Sequence, residues 1–563
     1  MYYAELSAAR AELTGPEGAF EITEIELRGQ RLKAYKTALP DIRALWLATA
    51  AFAERTYLVY DDERLSFADS HARVAAIAAW LAAQGLVPGD RVAIAMRNYP
   101  EWMLIYWACT ASGLAVVGMN AWWTPEEMAY ALADSAPRAL FLDAERLARV
   151  ASRPAMAAGM LLVGVRLPAP AAGVVDFTGI IAAGGSLPDV SIDPDDDACI
   201  FYTSGTTGHP KGAQLTHRGC ITNLYNMMYA SASTALAMQK AKGIVPPVAP
   251  PPVALITTPL FHVTANNCGA FATTAAGGTM VLMYRWDAGE ALRLIQRERV
   301  TAMSGVPVMA REVISHPDFA ATDTSSVVSL GGGGAQVPPD LVHKIDSKMA
   351  QARPNTGYGM TEVCGIITSN NGDFFVGKPE SAGPYMPSFE AKCVDDAGNM
   401  VPPGDTGELW VRGAAVIKGY INRPEATAAA ITDGWLHTGD IARIDADGFV
   451  YIVDRKKDMV LRGGENVYCA EVEAALYRHP AVAECSVFGV VDERLGEEVG
   501  AALLLKPGTQ VSAADLRAHC AALIASYKVP RYLWLQAEPL PRNASGKFLK
   551  RELRDQLRVE DAG

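Results

Sequence analysis

From Leu65 onward, segments whose apolar residues recur at helical spacing alternate with short apolar segments typical of buried strands. Apolar residues at helical spacing, such as Val74 and Leu81, predict an amphipathic helix. Continuous apolar runs, such as Arg91–Met96 and Ala115–Gly118, predict buried strands. Repeated helix and buried strand indicate parallel strands with helices on both faces. We therefore predict an α/β fold, with doubly wound mixed or parallel sheets in a large N-terminal domain.

Two stretches lack a clear period. Residues 1–40 show no strong pattern, and we assign them no function. Ala151–Gly185 is rich in alanine, glycine and proline and is predicted to loop across the surface. A third stretch, Trp102–Pro125, carries no charge and is long enough to cross a bilayer. Ser112-Gly113 and Asn120 interrupt it, so a buried helix, a turn and a buried strand are predicted instead.

Composition and charge narrow the function classes. The chain has 563 residues, too many for one core, and half of them are hydrophobic. A net charge of −12 argues against nucleic acid or an anionic membrane as the main partner, which leaves a small molecule. Nine scattered cysteines form no Cys-x-x-Cys pair, which is typical of reduced thiols. No signal-peptide pattern opens the sequence. We expect a cytoplasmic protein, with a homodimer as the default oligomer.

The sharpest candidate for a binding site is the segment Tyr202-Thr-Ser-Gly-Thr-Thr-Gly-His-Pro-Lys-Gly212, which follows the apolar strand Ala198–Phe201. Its glycines allow backbone N–H groups to approach an anion, and its hydroxyls and Lys211 add donors and charge. It is not an ordinary P-loop, because Pro210 precedes the lysine and glycine follows it. The segment resembles the signature loop of the acyl-adenylate-forming superfamily, which includes acyl-CoA synthetases and luciferases.

Further motifs occur in the order in which that superfamily has them. Glycines that follow a strand at Gly331–Gly334 allow a flat base to approach the backbone. Asn355–Glu362 combines a stacking ring, a hydroxyl and a hard oxygen ligand for Mg²⁺. Gly434–Asp440 ends in a carboxylate that could bind ribose hydroxyls. Pro541–Lys547 matches the closing motif, whose lysine completes the adenylation site in the family.

The resemblance implies a role for each matching residue. Phosphate contacts are expected from Thr203, Ser204, Gly205, Thr206, Thr207, Gly208 and Lys211. Adenine contacts are expected from Gly334, Ala335, Gln336, Gly357 and Tyr358. Asp440 and Arg455 are expected at the ribose, Thr361 at the α-phosphate, and Glu362 with Thr203 at Mg²⁺. Lys547 is the expected catalytic lysine, and His262, in Pro259-Leu-Phe-His262, is either a gate beside the acyl pocket or a core histidine.

The same resemblance implies two domains. Residues 1–454 would hold the acyl and ATP sites, 455–458 would be the hinge, and 459–563 would form a mobile α+β domain. Lys457 is the expected pivot, and Gly463 and Gly464 would line a pantetheine channel after rotation.

The implied function is an acyl-CoA synthetase that uses ATP, Mg²⁺ and coenzyme A. A carboxylic acid is converted to acyl-AMP with release of pyrophosphate, and the acyl group is then transferred to the thiol. A fatty acid is the first expectation for the substrate, and aromatic or short branched acids stay open. The alternatives are an acyl-AMP ligase that loads a carrier protein and a non-catalytic nucleotide-binding module.

Overall fold

The computed structural model describes residues 2–203, 210–243, 250–335, 337–349, 351–463, 465–543 and 546–563. Among the described residues, four sheets form the N-terminal domain, one of them the two-stranded hairpin Ile22–Leu27 and Gln30–Tyr35, and one sheet forms the C-terminal domain. The predicted α/β class is confirmed. Within the described residues, no helix combines the length and apolar character needed to span a bilayer.

A seven-stranded sheet carries the start of the candidate phosphate loop. It is parallel except for the hairpin between Asp197–Thr203 and Lys211–Thr216. In spatial order its strands are Lys211–Thr216, Asp197–Thr203, Ala115–Gly118, Arg91–Ala95, Ala139–Asp143, Leu161–Val165 and Val175–Asp176. The last two strands correct the prediction of a surface loop over residues 151–185. The run Leu161–Val165 is apolar enough to pair with its neighbour, although alanine, glycine and proline around it obscure the pattern.

An eight-stranded sheet carries the adenine and magnesium motifs. In spatial order its strands are Gly365–Asn371, Arg353–Met360, Ser329–Gly333, Ala302–Gly305, Val253–Ile256, Thr279–Leu282, Thr56–Tyr60 and Glu63–Ser66. Its inner strands are parallel, so their carboxyl ends meet at one edge, where open α/β sheets bind ligands.

Helices cover both of these sheets. The helices of the N-terminal domain are Tyr3–Thr14, Ile42–Ala48, Phe67–Ala83, Pro100–Thr110, Pro125–Ser135, Ala144–Ser152, Phe177–Ala183, His217–Lys242, Phe271–Ala275, Ala288–Glu298, Pro307–Ser315, Pro339–Lys348, Gly372–Gly377 and Pro424–Ala430, with a π-helix at Thr264–Ala270. Every side chain of Pro100–Thr110 is buried, including Trp102 and Trp107. The prediction of a buried helix within the uncharged stretch is therefore confirmed.

A six-stranded antiparallel sheet completes the N-terminal domain. Its strands are Gly383–Pro384, Phe449–Arg455, Trp435–Ile444, Gly407–Gly413 and Phe389–Val394, with Ile431–Thr432 beside Trp435–Ile444. Asp440 and Arg455 are paired residues on two neighbouring strands of this sheet. Two motifs that are separate in sequence are thus brought side by side.

The C-terminal domain has its own sheet. The strands are Glu465–Val467, Val460–Arg462, Gly496–Leu505, Val482–Asp492 and Tyr532–Gln536, with helices Cys469–Tyr477, Ala513–Ala521 and Lys550–Gln556. Ser512 caps the second helix: its hydroxyl accepts from the Asp515 N–H, and the Asp515 carboxylate accepts from the Ser512 N–H. Arg455 ends the last strand of one domain and Val460 begins the first strand of the other, which fits a link at 455–458; its rotation is a proposal.

Candidate active site

The hairpin around the phosphate loop holds Lys211 at the rim of the cleft. Thr203 and Lys211 are opposite one another in the antiparallel pair, and the Thr203 hydroxyl donates to the Lys211 carbonyl at 3.4 Å. The Lys211 ammonium lies 4.5 Å from the centre of the Tyr420 ring, a cation–π contact. Ser204, Gly205, Thr206, Thr207 and Gly208 lie outside the described residues, so their phosphate contacts stay predictions.

Tyr358, Asp440 and Arg455 form the candidate ribose site. The Tyr358 hydroxyl donates to Asp440 Oδ2 at 2.6 Å, and Arg455 Nε lies 3.4 Å from Oδ1. Asp440 is buried, and burial raises its pKa although Arg455, Tyr358 and Lys547 lower it. The pKa of Tyr358 is also raised, first by burial and then by the Asp440 charge. The three side chains therefore offer a carboxylate and an aromatic face at one point of the cleft.

Glu362 lies at the end of the motif strand, where Thr361–Val363 form a short 3₁₀ turn. Its carboxylate Oε1 accepts a hydrogen bond of 2.7 Å from Tyr420. Thr361 is half-buried next to it. The described residues contain no group of three side chains able to enclose a metal ion. A single carboxylate nevertheless fits Mg²⁺, because this ion keeps several waters and binds substrate phosphates at such sites.

The lysine of the C-terminal domain lies in the same cleft. A Cβ atom built on Gly334 would be 3.6 Å from Lys547 Cε, so these two predicted residues are neighbours. The turn that holds Lys547 packs on Val306, and Gly546 in this turn has φ of +80°. A Cβ on Gly546 would lie 2.7 Å from Val306 Cγ2, which only glycine avoids. The two domains are therefore in an orientation that brings Lys547 next to Gly334, one of the residues expected at adenine.

The other residues expected at adenine lie next to the contact between Gly334 and Lys547. Gly357 pairs with Gly333 on the neighbouring strand, and Ala335 is exposed. Gln336 lies outside the described residues, so its role stays a prediction.

Basic side chains converge on the cleft and lower one another's pKa values. Burial, and then the charge of Arg455, lower the pKa of Lys547 to about 8. Burial, and then the charge of Lys547, lower the pKa of His262 to about 4, which keeps this imidazole neutral. The pKa of Lys457 is lowered as well, by desolvation first and then by Arg455 and Lys211. An anion between these residues would relieve their mutual repulsion.

His262 lies on the loop between the strand Val253–Ile256 and the π-helix Thr264–Ala270. Its half-buried ring is 4.6 Å from that of Phe261. Asn98 fixes the loop that precedes it, since its amide donates to Thr258 and accepts from the Leu260 N–H, both at 2.9 Å. The π-helix that follows His262 packs against the strand Ala302–Gly305. A position beside an acyl pocket is consistent with this geometry, and its gating role stays a prediction.

One predicted group lies apart from this cluster. Gly463 turns between two strands of the C-terminal domain, with φ of +61°, and a Cβ on it would meet Leu495. Gly464 lies outside the described residues. In this orientation of the domains, the position of Gly463 does not test the prediction that Gly463 and Gly464 line a pantetheine channel.

Sequence reasoning missed Tyr420 and Asn98. Tyr420 contacts both Lys211 and Glu362, yet it is 58 positions from Glu362 and has no periodic neighbours to mark it. Asn98 acts on a loop of the other large sheet, 160 positions away. The only local signal for either is a polar or aromatic residue just beyond a strand or a glycine, which is too common to be used.

Comparison with known proteins agrees with this geometry. The model of the AMP-binding enzyme matches residues 45–421, and that of the AMP-binding enzyme C-terminal domain matches residues 471–547. The chain belongs to the AMP-binding enzyme family. The second match ends at Lys547, the residue that reaches the cleft from the C-terminal domain.

Relatives of this AMP-binding enzyme are acid–CoA ligases. It is 39% identical to a feruloyl-CoA synthase of Amycolatopsis over 87% of this chain and 93% of that one. It is 32% identical to a long-chain-fatty-acid–CoA ligase of Bacillus subtilis over 90% and 92%. The solved o-succinylbenzoate CoA synthetase of Bacillus subtilis, in complex with its acyl-adenylate, has a TM-score of 0.76 and 31% identity over 93% and 99%. The enzyme is therefore an AMP-forming acid–CoA ligase that uses ATP and coenzyme A.

Proposed function

We propose that the enzyme activates its acid at the cleft between Lys211, Asp440 and Lys547. The acid carboxylate attacks the α-phosphorus of ATP, and pyrophosphate leaves in line. Asp440 and Tyr358 hold the ribose and adenine, so that the reacting atoms meet in a fixed geometry. The observation that carries this proposal is the close approach of Lys547 to Gly334, which brings a cation of the C-terminal domain beside a residue expected at adenine.

Charge stabilisation is the main catalytic contribution. Negative charge grows on the oxygens around phosphorus, where the ammonium groups of Lys547 and Lys211 and the Thr361 hydroxyl are available. Glu362 is the residue that would hold Mg²⁺, with Thr203 as a further oxygen ligand. When bound, the ion neutralises charge on the phosphate oxygens.

The second half-reaction needs the other domain orientation. After pyrophosphate has left, rotation at Lys457 would withdraw Lys547 and bring Gly463 and Gly464 to the cleft. The coenzyme A thiolate then attacks the acyl carbonyl, the thioester forms, and AMP leaves with the electron pair of the broken C–O bond. Different residues therefore serve the two halves of the reaction.

For the substrate we propose a ring-bearing carboxylic acid with polar substituents, of the hydroxycinnamate kind. The relative at 39% identity is named for feruloyl-CoA. The candidate acyl site of this proposal is the region beside His262, where the π-helix Thr264–Ala270 and the strand Ala302–Gly305 contact each other. Half-buried or exposed side chains of these two elements include Thr264, Cys268 and Ser304, two of which carry hydroxyls. Hydroxyls in a pocket favour a ligand with hydrogen-bonding groups over an alkyl chain, which would leave them without partners.

A fatty acid, the first expectation from sequence, is the second candidate. It is favoured by the long-chain ligase relative at 32% identity.

A panel of acids tests the substrate. Pyrophosphate release and coenzyme-A-dependent AMP formation are measured with ferulate, 4-coumarate, benzoate, and saturated acids of graded length. A ring-bearing class is supported by a kcat/KM at least about tenfold higher for ferulate or coumarate than for any saturated acid, equivalent to about 1.4 kcal/mol. The reverse order would assign the enzyme to fatty acids. If the acids release pyrophosphate but none of them forms a thioester with coenzyme A, the acyl group has a different acceptor.

A further inference from the structure

The N-terminal hairpin, Ile22–Leu27 and Gln30–Tyr35, contacts residues 414–417, which lead to Tyr420 of the candidate active site. The family model begins only at residue 45, so this hairpin lies outside it. The two residues of its tip, Arg28 and Gly29, have φ of +51° and +73°. Positive φ at both positions is the requirement of a tight hairpin turn that asparagine and glycine meet best. Arginine at the first position is strained, and retained strain of this kind often has a functional reason.

The Arg28 guanidinium binds two consecutive carbonyl groups. Nη1 donates to the Ile417 carbonyl at 2.6 Å, and Nη2 donates to the Val416 carbonyl at 2.9 Å. Leu27 and Leu32 of the hairpin pack on Ala414 next to these carbonyls. The hairpin is therefore attached to residues 414–421, which we call the strap.

The strap connects two parts of the nucleotide site. The Ile417 N–H donates to the Glu362 carbonyl at 3.0 Å, and the Tyr420 hydroxyl donates to the Glu362 carboxylate. On its other edge, the Ile421 N–H donates to the Gly212 carbonyl at 2.8 Å, directly after Lys211. The Tyr420 ring also faces the Lys211 ammonium. A shift of the strap would therefore move Glu362 and Lys211 together.

One peptide group joins Arg28 to Glu362. The Val416 carbonyl and the Ile417 N–H belong to the same peptide, which accepts from Arg28 on one side and donates to Glu362 on the other. Hydrogen bonds that share a peptide polarise one another, and a charged donor strengthens the effect. We infer that Arg28 is a positioning residue for the adenylation site, acting through the strap on Glu362 and Tyr420. This inference rests on the proposed role of Glu362 at the metal-bound nucleotide.

The substitution Arg28→Asn separates positioning from folding. Asparagine suits the positive φ of the turn, so the hairpin should form at least as well, while both hydrogen bonds to the strap are lost. We expect an unchanged or raised unfolding midpoint. Affinity for ATP with Mg²⁺, measured by calorimetry, should fall about tenfold, and affinity for ATP in EDTA should fall much less. Arg28→Lys should restore part of the difference, because an ammonium can still donate to these carbonyls.

Two controls make the outcome decisive. Arg10→Gln removes another N-terminal arginine that donates to a distant backbone carbonyl, that of Tyr385, and should leave both affinities unchanged. In a double-mutant cycle, Arg28→Asn and Tyr420→Phe should be less than additive, since both act through the strap. Additive effects, or a folded Arg28→Asn protein with wild-type dependence on Mg²⁺, would overturn the inference. Glu362→Gln tests the proposed function separately: if it leaves the Mg²⁺ dependence unchanged, the role of Glu362 fails whatever Arg28 does.

Discussion

The hydroxyl of Tyr358 and the carboxylate of Asp440 are joined by a hydrogen bond of 2.6 Å across 82 positions of sequence. Each belongs to a different sheet of the N-terminal domain. The bond aligns an aromatic ring with a buried acidic group, so base and ribose can be bound together. The orientation of Asp440 thus depends on Tyr358 as well as on its own strand.

Asp440→Asn should weaken ATP binding through the sugar. A charge-assisted hydrogen bond contributes about 1.5–3 kcal/mol, so KM for ATP should rise about tenfold to a hundredfold. Wild-type enzyme should discriminate against 3′-deoxy-ATP, and the variant should lose most of that discrimination. Tyr358→Phe keeps the ring and should have the smaller effect. Equal discrimination by wild type and Asp440→Asn would place the ribose elsewhere.

Lys547→Ala should block one half-reaction. Acyl-AMP formation should fall by about a hundredfold to a thousandfold, as when one donor to a developing charge is removed. Thioester formation from supplied acyl-AMP and coenzyme A should be retained, because the second step is proposed to use the other orientation. The two rates are measured separately on the purified variant. Equal loss of both rates would contradict the division between the domains.

Lys547 should also determine the alkaline limb of the pH–rate profile, that is, the fall in the adenylation rate at high pH. Its pKa in the free enzyme is lowered to about 8, by burial first and then by Arg455. Only the protonated form carries the positive charge, so kcat/KM for acyl-AMP formation should be full below pH 8 and fall as pH rises through it. Lys547→Arg, which cannot be deprotonated in this range, should lose the limb even if its rate is lower. A limb that persists in Lys547→Arg would assign it to another group.

Gly546→Ala should interfere with closure of the C-terminal domain. A methyl group at this position would lie 2.7 Å from Val306 Cγ2, so the turn cannot dock as it does here. Acyl-AMP formation should fall by at least about tenfold, while thioester formation from acyl-AMP should change little. The contact with Val306 is specific to the orientation that brings Lys547 into the cleft.

Gly508→Ala is the matched control for Gly546→Ala. Its φ of +75° gives the same backbone strain, but a Cβ there would meet nothing within 4 Å. Both variants should lose a similar 1–2 kcal/mol of stability, the cost of left-handed backbone for an L-residue, and only Gly546→Ala should lose adenylation. Equal activity of the two variants would show that docking at Val306 is not required.

Tyr420→Phe should raise the Mg²⁺ requirement. The ring would still face Lys211, but Glu362 would lose its donor at 2.7 Å. We expect the Mg²⁺ concentration for half-maximal pyrophosphate release to rise several-fold. Tyr451→Phe removes another hydrogen bond from a tyrosine to a carboxylate, that to Asp445 at 3.1 Å, and should not change the Mg²⁺ requirement. An unchanged requirement in Tyr420→Phe would remove this tyrosine from the site.

Local sequence patterns were sufficient to predict most helices and strands and to identify the motif residues. Apolar runs predicted Ala115–Gly118 with the bounds that the structure has, and the predicted strand Ala198–Phe201 lies within the observed strand Asp197–Thr203. These features depend on neighbours within a turn or a strand, and the sequence displays such neighbours directly. The prediction over residues 151–185 was wrong, because a buried strand there is recognised only through its partner Ala139–Asp143.

The sequence by itself determined the fold class, the family and most candidate residues of the nucleotide site, including Lys211, Tyr358, Asp440 and Lys547. Only the tertiary structure decided which of them meet. It also added Tyr420, Asn98 and Arg28, whose partners are 58, 160 and 389 positions away. The physical reason is that a side chain's type and local period are written in the chain, whereas a hydrogen bond between distant segments exists only after sheets and domains have packed.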